Sequence, residues 1–298
     1  MKEEKKKRKK KPKGKGEFSG IIGVEEKKTN KKKKRKRRIG DFISLLIVLV
    51  ALTVAGFSGN KLYTIFMEYK AGEDEYNSIT EAVVTERDAD EEEIRVMQEA
   101  EGVEEKHWTP PFNVDFDQLK SINSDVVGWL YMEALPNITY PIVKGKDNAY
   151  YLHRTYKKED IFAGSIFIDY RNSGDFSDQN TIVYGHNMKN GSMFGTLKRY
   201  REPDLVKKSQ YFWILTPDEA YKYKIYSIYI ADAEGSTYTL IQGPGQSSLN
   251  YMETMKSKSE INLGNFDFTE TDKTVTLSTC TGDSATRFVV QGVRIEPE

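Results

Sequence analysis

Thr276-Leu277-Ser278-Thr279-Cys280 holds the only cysteine of this 298-residue chain. The stretch belongs to a β-branched run that predicts a strand ending at the cysteine. A lone thiol cannot form an intrachain disulfide, so Cys280 is a buried apolar residue, half of an intermolecular bridge, or a nucleophile. A nucleophile needs a base elsewhere in the chain, because the thiolate is the reactive form. The chain has only three histidines, so that search is short.

Short runs of this kind fill the chain from Phe112 onward. They are rich in Val, Ile, Tyr and Thr and are bounded by Gly, Asn, Asp or Pro, which is typical of strands. Helices are expected only at 115–124, 193–200 and 249–258. Many short strands with few long helical patterns predict a closed or nearly closed β-barrel with flanking helices. The predicted strands are 126–131, 138–143, 164–169, 181–184, 211–216, 222–229, 274–279 and 287–295.

Two further residues are predicted to lie at the same rim as Cys280. His186 follows the strand 181–184 through Gly185, and Arg287 opens the last strand. Because ends of neighbouring barrel strands converge on one rim, these side chains are expected to share a groove. A surface salt bridge, for example to Asp283, is the alternative interpretation of Arg287.

The other two histidines are weaker candidates for the base. His107, beside Trp108, is expected to be exposed, and His153 is expected to be a surface or packing residue.

This residue set suits acyl transfer. A thiolate attacks a carbonyl carbon, a histidine protonates the leaving amine, and a fixed cation stabilises the oxyanion. Arginine suits the last role because it stays charged and presents several donors in a rigid fork. Asp169 and Asp283 are conceivable orienters of the histidine, but the spacing selects neither.

No metal site or cofactor is predicted. One cysteine and scattered histidines do not make a zinc set. The acidic loop 169–178 offers oxygen ligands for calcium, although solvated loop charge explains its composition more simply.

The N-terminal part predicts a membrane anchor at 39–59, with an apolar run at 42–57. A basic tail, 1–38, precedes it and carries 20 of the 45 Lys and Arg residues. This asymmetry predicts a cytoplasmic N-terminus, basic side chains at anionic lipid, and an extracellular C-terminal part. The alternatives are a cleaved signal peptide and a nucleic-acid-binding arm.

The remainder of the chain divides into an acidic region and a β domain. Residues 60–111 are rich in acidic residues and are expected to form helices and linker, and 112–298 the β-barrel domain. The net charge of zero hides an acidic C-terminal part: beyond residue 38 there are 25 basic and 40 acidic residues. Nucleic-acid binding by this part is therefore not expected.

The motifs in combination resemble those of the sortase family. Thr-Leu-Ser-Thr-Cys ending at Cys280, a downstream Arg287, and Tyr184-Gly185-His186 upstream carry the resemblance. Similarity to class B extends over about 112–296. It includes Ile122-Asn123-Ser124-Asp125-Val126-Val127-Gly128-Trp129-Leu130, Tyr140-Pro141-Ile142-Val143, Asn148-Ala149-Tyr150-Tyr151-Leu152 and Gly164-Ser165-Ile166-Phe167-Ile168-Asp169.

The resemblance implies a twisted eight-stranded barrel with N-terminal helices, behind a single transmembrane helix. It also implies a membrane-anchored cysteine transpeptidase on the outer face of a Gram-positive bacterium. Such enzymes cleave a C-terminal sorting motif after its Thr and transfer the thioacyl group to an amine of peptidoglycan or its lipid-linked precursor.

The resemblance also implies roles for individual residues. Cys280 is the nucleophile, His186 the general acid/base, and Arg287 the residue that positions the substrate or stabilises the oxyanion. The substrate groove is implied to include Ser278, Asn148, Leu152 and Tyr238. The loop 281–286 is shorter than in some class B members, which affects the loop's own contacts more than Arg287.

Two other functions remain open at this stage. One is a membrane-anchored cysteine peptidase that only hydrolyses, since the same thioacyl intermediate serves both reactions. The other is a non-catalytic anchored binding module in which Cys280 is a buried apolar residue.

Overall fold

The computed structural model describes residues 25–87, 108–241 and 243–297. By contacts, the chain divides into two units, one ending at Tyr63 and one beginning at Thr64. The sequence-based division at residue 112 stays a prediction. Residues 88–107 of the acidic region, His107 among them, lie outside the described residues.

The described chain contains a long N-terminal helix followed by strands with short helices between them. The helices are α1 (Glu25–Val83), α2 (Phe116–Ile122), α3 (Pro203–Lys208) and α4 (Gln246–Ser257). The strands are β1 (Val84–Thr85), β2 (Asn113–Val114), β3 (Val126–Met132), β4 (Thr139–Lys144), β5 (Ile166–Ile168), β6 (Asn180–Tyr184), β7 (Tyr211–Leu215), β8 (Ala220–Asp232), β9 (Thr274–Cys280) and β10 (Thr286–Ile295).

Eight of these strands close into a barrel in the order β10-β8-β7-β3-β4-β5-β6-β9, which confirms the predicted fold. Two neighbouring pairs, β4 with β5 and β6 with β9, are parallel, and the other described pairs are antiparallel. A parallel pair needs a long connection. The β6-to-β9 connection contains β7, β8 and α4.

The two faces of β10 pack against different parts of the molecule. Phe288 and Val290 belong to the main core, whereas Val289 and Val293 pack with Met252 of α4. Because successive strand residues point to opposite faces, α4 covers the outer face of the barrel here.

The end of α1 is part of the barrel unit. Tyr76, Ile79 and Val83 are buried in the main core, and the Tyr76 hydroxyl donates to the Gly164 carbonyl at 2.7 Å. The sequence predicted helices and linker after residue 60. In the described part of that region, residues 60–87, α1 continues to Val83, because these apolar side chains recur at helical spacing and pack against the barrel.

The predicted helix at 193–200 is wrong in its first half. Met193 has a positive φ of 51°, and only Leu197–Arg201 forms a 3₁₀ helix. The Phe194 N–H donates to the His186 carbonyl, and Asn187 bridges to Met193. The segment is therefore bound back onto the chain after β6, in a conformation that a helix cannot adopt.

We expect Tyr76→Phe to lower the free energy of unfolding by about 1–2 kcal/mol, because the buried Gly164 carbonyl loses its donor. Denaturant unfolding of the full chain in detergent, followed by tryptophan fluorescence, measures the change. Tyr170→Phe is the control, since that side chain is 47% exposed. Equal stability of the two variants would contradict the packing of α1 on the barrel.

Candidate active site

The parallel pairing of β6 with β9 brings His186 beside Cys280. Tyr184 and Ser278 are partners at the end of this ladder, and the Gly185 N–H donates to the Ser278 carbonyl at 3.2 Å. His186 and Cys280 each come two residues after this pair, so they lie side by side across the two chains. The Asn187 side-chain amide donates to the Cys280 carbonyl at 2.8 Å, so the chain after β6 stays attached to the end of β9.

Gly185 is required by the space available between these strands. A Cβ at this position would lie 2.5 Å from Ile166 Cδ1 and 2.7 Å from Phe194 Cδ2. Both neighbours are fully buried and cannot easily move away. The glycine therefore lets the backbone carry His186 close to the barrel rim.

The antiparallel pairing of β9 with β10 brings Arg287 directly opposite Cys280. Arg287 Nη1 donates to the carbonyls of Ser284 and Thr286 at 2.9 and 2.8 Å. Within the described ranges Arg287 makes no ion pair, and Asp283 instead accepts from the Ala285 N–H. The turn thus holds one guanidinium nitrogen, and the other two nitrogens remain for a ligand.

These side chains line one cavity of about 270 Å³ at the rim of the barrel. Cys280 is a free, exposed thiol in its wall. The structure brings all seven residues singled out from the sequence to this cavity. They are Asn148, Leu152, His186, Tyr238, Ser278, Cys280 and Arg287, and Phe167, Tyr184, Gly185, Ala233 and Thr279 complete the lining.

The His186 imidazole is fixed through one nitrogen. Its Nε2 lies 2.7 Å from the Leu152 carbonyl oxygen, which can only accept, so Nε2 carries a proton. Nδ1 is then the nitrogen that exchanges protons with a reactant. Burial lowers the pKa of His186; the Leu152 carbonyl opposes that change, and the charge of His153 adds to it.

Asp169 binds side chains of the cavity wall and makes no hydrogen bond to the histidine in the described structure. Its fully buried carboxylate accepts from Arg171 at 2.8 and 2.9 Å, from Asn148 at 2.9 Å and from Tyr184 at 3.0 Å. Burial alone would raise the pKa of Asp169, but these hydrogen bonds, led by those of Arg171, outweigh it and lower the pKa to about 2. The carboxylate therefore fixes two side chains of the cavity wall.

The opposite wall rests on a buried polar layer under α4. The Tyr238 hydroxyl and Ser278 Oγ are 2.8 Å apart. Tyr238 belongs to the 3₁₀ helix Ser236–Tyr238, and the Asn180 amide donates to the Thr239 carbonyl at 3.1 Å. The Tyr251 hydroxyl of α4 donates to the Thr237 carbonyl at 2.7 Å. These bonds fasten the wall to β6 and to α4.

Sequence reasoning missed Tyr184 and the proximity of His153 to His186. The ring centroids of the two histidines are 5.4 Å apart, with an interplanar angle of 19°. One signal was available, since His153 directly follows Leu152, which had been assigned to the groove.

No group of three or more potential metal ligands occurs among the described residues. In the loop considered for calcium, Asp169 binds Arg171, and Asp178 accepts from the side chain of Asn172 and the N–H of Ser173. These carboxylates are therefore already used by the protein's own donors.

An exposed thiol in one cavity with a histidine and an arginine is the residue set of a cysteine-dependent acyl-transfer enzyme. Comparisons with known proteins identify the family. The family model of the sortase domain matches residues 130–295. Sortase B of Listeria monocytogenes is 38% identical over 178 residues, which cover 58% of this chain and 71% of that protein.

Solved structures agree. Sortase B from Bacillus anthracis, in complex with AAEK1, is 31% identical with a TM-score of 0.61, covering 78% of this chain and 99% of that one. A Staphylococcus aureus sortase B–substrate complex is 26% identical with a TM-score of 0.61, covering 78% of this chain and 100% of that one. The chain belongs to the sortase family and is of class B, the cysteine transpeptidases of surface-protein anchoring. The expected enzyme class is confirmed.

The low pKa of Asp169 gives a pH-dependent stability. A carboxylate with a lowered pKa stabilises the fold above its unfolded value of about 4, and this stabilisation is lost as the pH falls toward 2. We expect Asp169→Asn to lower the free energy of unfolding at pH 7 by about 2 kcal/mol and to flatten its decrease between pH 4 and 2. Urea unfolding at a series of pH values measures both effects.

Asp218→Asn is the matched control, because Asp218 is exposed and does not line the cavity. It should leave the pH dependence of stability unchanged. A wild-type-like slope in Asp169→Asn would show that the carboxylate network does not carry this stability.

Proposed function

We propose that this chain is a membrane-anchored transpeptidase that cleaves a C-terminal sorting motif of surface proteins after Thr. It transfers the acyl group to an amine of peptidoglycan or of its lipid-linked precursor. One observation carries the proposal: Cys280, His186 and Arg287 line one cavity at the ends of neighbouring strands. Membership of the sortase family supports it.

In the acylation step, the Cys280 thiolate attacks the carbonyl carbon of the motif's Thr and forms a tetrahedral oxyanion. Protonated His186 gives the proton on Nδ1 to the leaving amide nitrogen as the C–N bond breaks. The products are a thioester on Cys280, a free amine on the cleaved C-terminal fragment, and neutral His186. The Nε2 bond to Leu152 orients the ring through both protonation states.

Arg287 stabilises the oxyanion or positions the substrate. Its partnership with Cys280 across β9 and β10 puts both residues on the same edge of the barrel. The Nη1 bonds to the turn carbonyls hold the guanidinium in place before substrate binds, so little reorganisation is needed as charge develops.

In the second step, the acceptor amine attacks the thioester carbonyl. Neutral His186 removes a proton from the attacking nitrogen, the C–S bond breaks, and the Cys280 thiolate is restored. Water attacking the same thioester would give hydrolysis, so the acceptor alone separates the transpeptidase from the peptidase.

Four residues of the cavity wall are proposed to bind the sorting motif. Asn148 and Leu152 lie on one side of the cavity, and Ser278 and Tyr238, joined by their hydroxyls, on the other. The apolar surface of Leu152 and the ring of Tyr238 suit aliphatic parts of the motif, whereas Asn148 and Ser278 supply polar atoms.

We further propose that α1 anchors the enzyme, with residues 1–38 in the cytoplasm at anionic lipid and the catalytic domain outside. Among the described residues one helical segment, Arg35–Val83, is long and apolar enough to cross a membrane, and the apolar window is wholly exposed. A cleaved leader peptide fits the same composition. Intact mass of the protein recovered from membranes decides between them, since cleavage would remove the basic tail.

The catalytic assignments predict graded losses in a sorting-peptide assay. Cys280→Ala should abolish the thioacyl adduct, since no other thiol exists in the chain. His186→Ala should slow acylation about 10²- to 10⁴-fold through loss of the proton donor. Arg287→Ala should slow it about 10²- to 10³-fold through loss of oxyanion stabilisation. Mass spectrometry of trapped adducts and peptide cleavage rates measure these effects.

Arg199→Ala is the matched control for Arg287→Ala, because Arg199 is half exposed and pairs only weakly with Glu202 on the surface. It should retain wild-type rates. Cleavage at full rate by all three active-site variants would refute the catalytic assignments. A product that never incorporates a supplied amine would identify the enzyme as a peptidase.

A further inference from the structure

The second histidine beside His186 has no place in the mechanism above. His153 ends the 3₁₀ helix Tyr150–His153, and its ring lies near-parallel to that of His186. Phe162 completes the group: its ring centroid is 5.7 Å from each histidine, at interplanar angles of 24° and 18°. His153 Nδ1 also lies 3.4 Å from the Phe162 carbonyl. The three offset rings form a layer on the cavity's edge.

The same short helix holds His186 in two ways. The Leu152 carbonyl accepts a hydrogen bond from His186 Nε2, and the ring of the next residue, His153, lies beside the imidazole. His153 and Phe162 are themselves exposed.

We propose that His153 is a positioning residue for His186, which limits how readily His186 takes up a proton and so sets the pH range of acylation. Two imidazolium rings with centroids 5.4 Å apart repel each other, so a positive charge on His153 disfavours a second on His186. His186 is thereby a stronger acid toward the leaving amine when it is protonated. The proposal rests on the catalytic role proposed for His186.

The other charged or titratable groups around His186 do not belong to this layer. Cys280, Arg287, Tyr184 and Tyr238 line the cavity from β9, β10, β6 and the loop before α4. Beside His153, Arg154 pairs with Asp160 at 3.2 Å, and this pair is charge-balanced. A substitution at 153 leaves all of these groups in place.

His153→Phe tests the proposal directly. A phenyl ring keeps a flat surface of similar size against His186, so burial of the imidazole is preserved, but it cannot be protonated. We expect the pKa of His186 to rise. The limb of the pH–rate profile that reports His186 should likewise move to higher pH.

The titration is measured by NMR of histidine-labelled full chain in detergent, which is practical because the chain has only three histidines. His107→Gln and His153→Phe assign the signals. The measurement is repeated in a Cys280→Ala background, where no thiol can contribute to the change. His153→Ala should also raise the pKa and, by loosening the ring layer, slow acylation about twofold to tenfold.

An equal pKa of His186 in the wild type and in His153→Phe would overturn the proposal. A shift to lower pH would overturn it as well. If His153→Ala does not fold, His153→Phe still decides the matter. Because the NMR titration needs no turnover, its result is independent of the activity of His186→Ala, which tests the catalytic role itself.

Discussion

The register of the parallel β6–β9 pair is the constraint on which the site depends. It matches Tyr184 with Ser278, so that His186, just beyond β6, lies at the same level as Cys280, the last residue of β9. A slip by one residue would turn Cys280 toward the barrel interior, because successive side chains point to opposite faces. The Gly185 N–H bond to Ser278 and the Asn187 bond to Cys280 extend this pairing beyond β6.

The register is itself held by buried polar groups, which require specific partners. Asn180, at the start of β6, accepts from Thr276 of β9 at 2.8 Å, and Gln291 of β10 donates to the same Thr276 hydroxyl. A buried amide that loses its hydrogen-bond partners destabilises the fold, so alternative registers are disfavoured. The same Asn180 reaches the loop that carries Tyr238. One layer of hydrogen bonds therefore aligns the strands and holds a cavity wall.

The sequence predicted what depends on local pattern. Strand ends at Tyr184 and Cys280 followed from β-branched runs and glycine boundaries, and the observed strands differ from them by only a few residues. It did not predict the stacking of His153 on His186, because they lie 33 positions apart in the chain and only the closed barrel brings them together. The helix expected from Met193 failed for a related reason. Its pattern is helical, but bonds back to His186 and Asn187 override the local preference.

Substrate specificity depends on which parts of the groove belong to the rigid barrel and which belong to the connections between strands. Cys280, Ser278 and Arg287 lie on β9 and β10, whose packed faces cannot change shape without loss of core contacts. Two other parts of the wall come from the short helices Tyr150–His153 and Ser236–Tyr238, which connect strands and carry Leu152 and Tyr238. Family members can therefore share one chemistry while these two connections change the shape of the groove. In this chain the first connection also carries His153, so the segment proposed to contact the sorting motif is also the one proposed to adjust the acidity of His186.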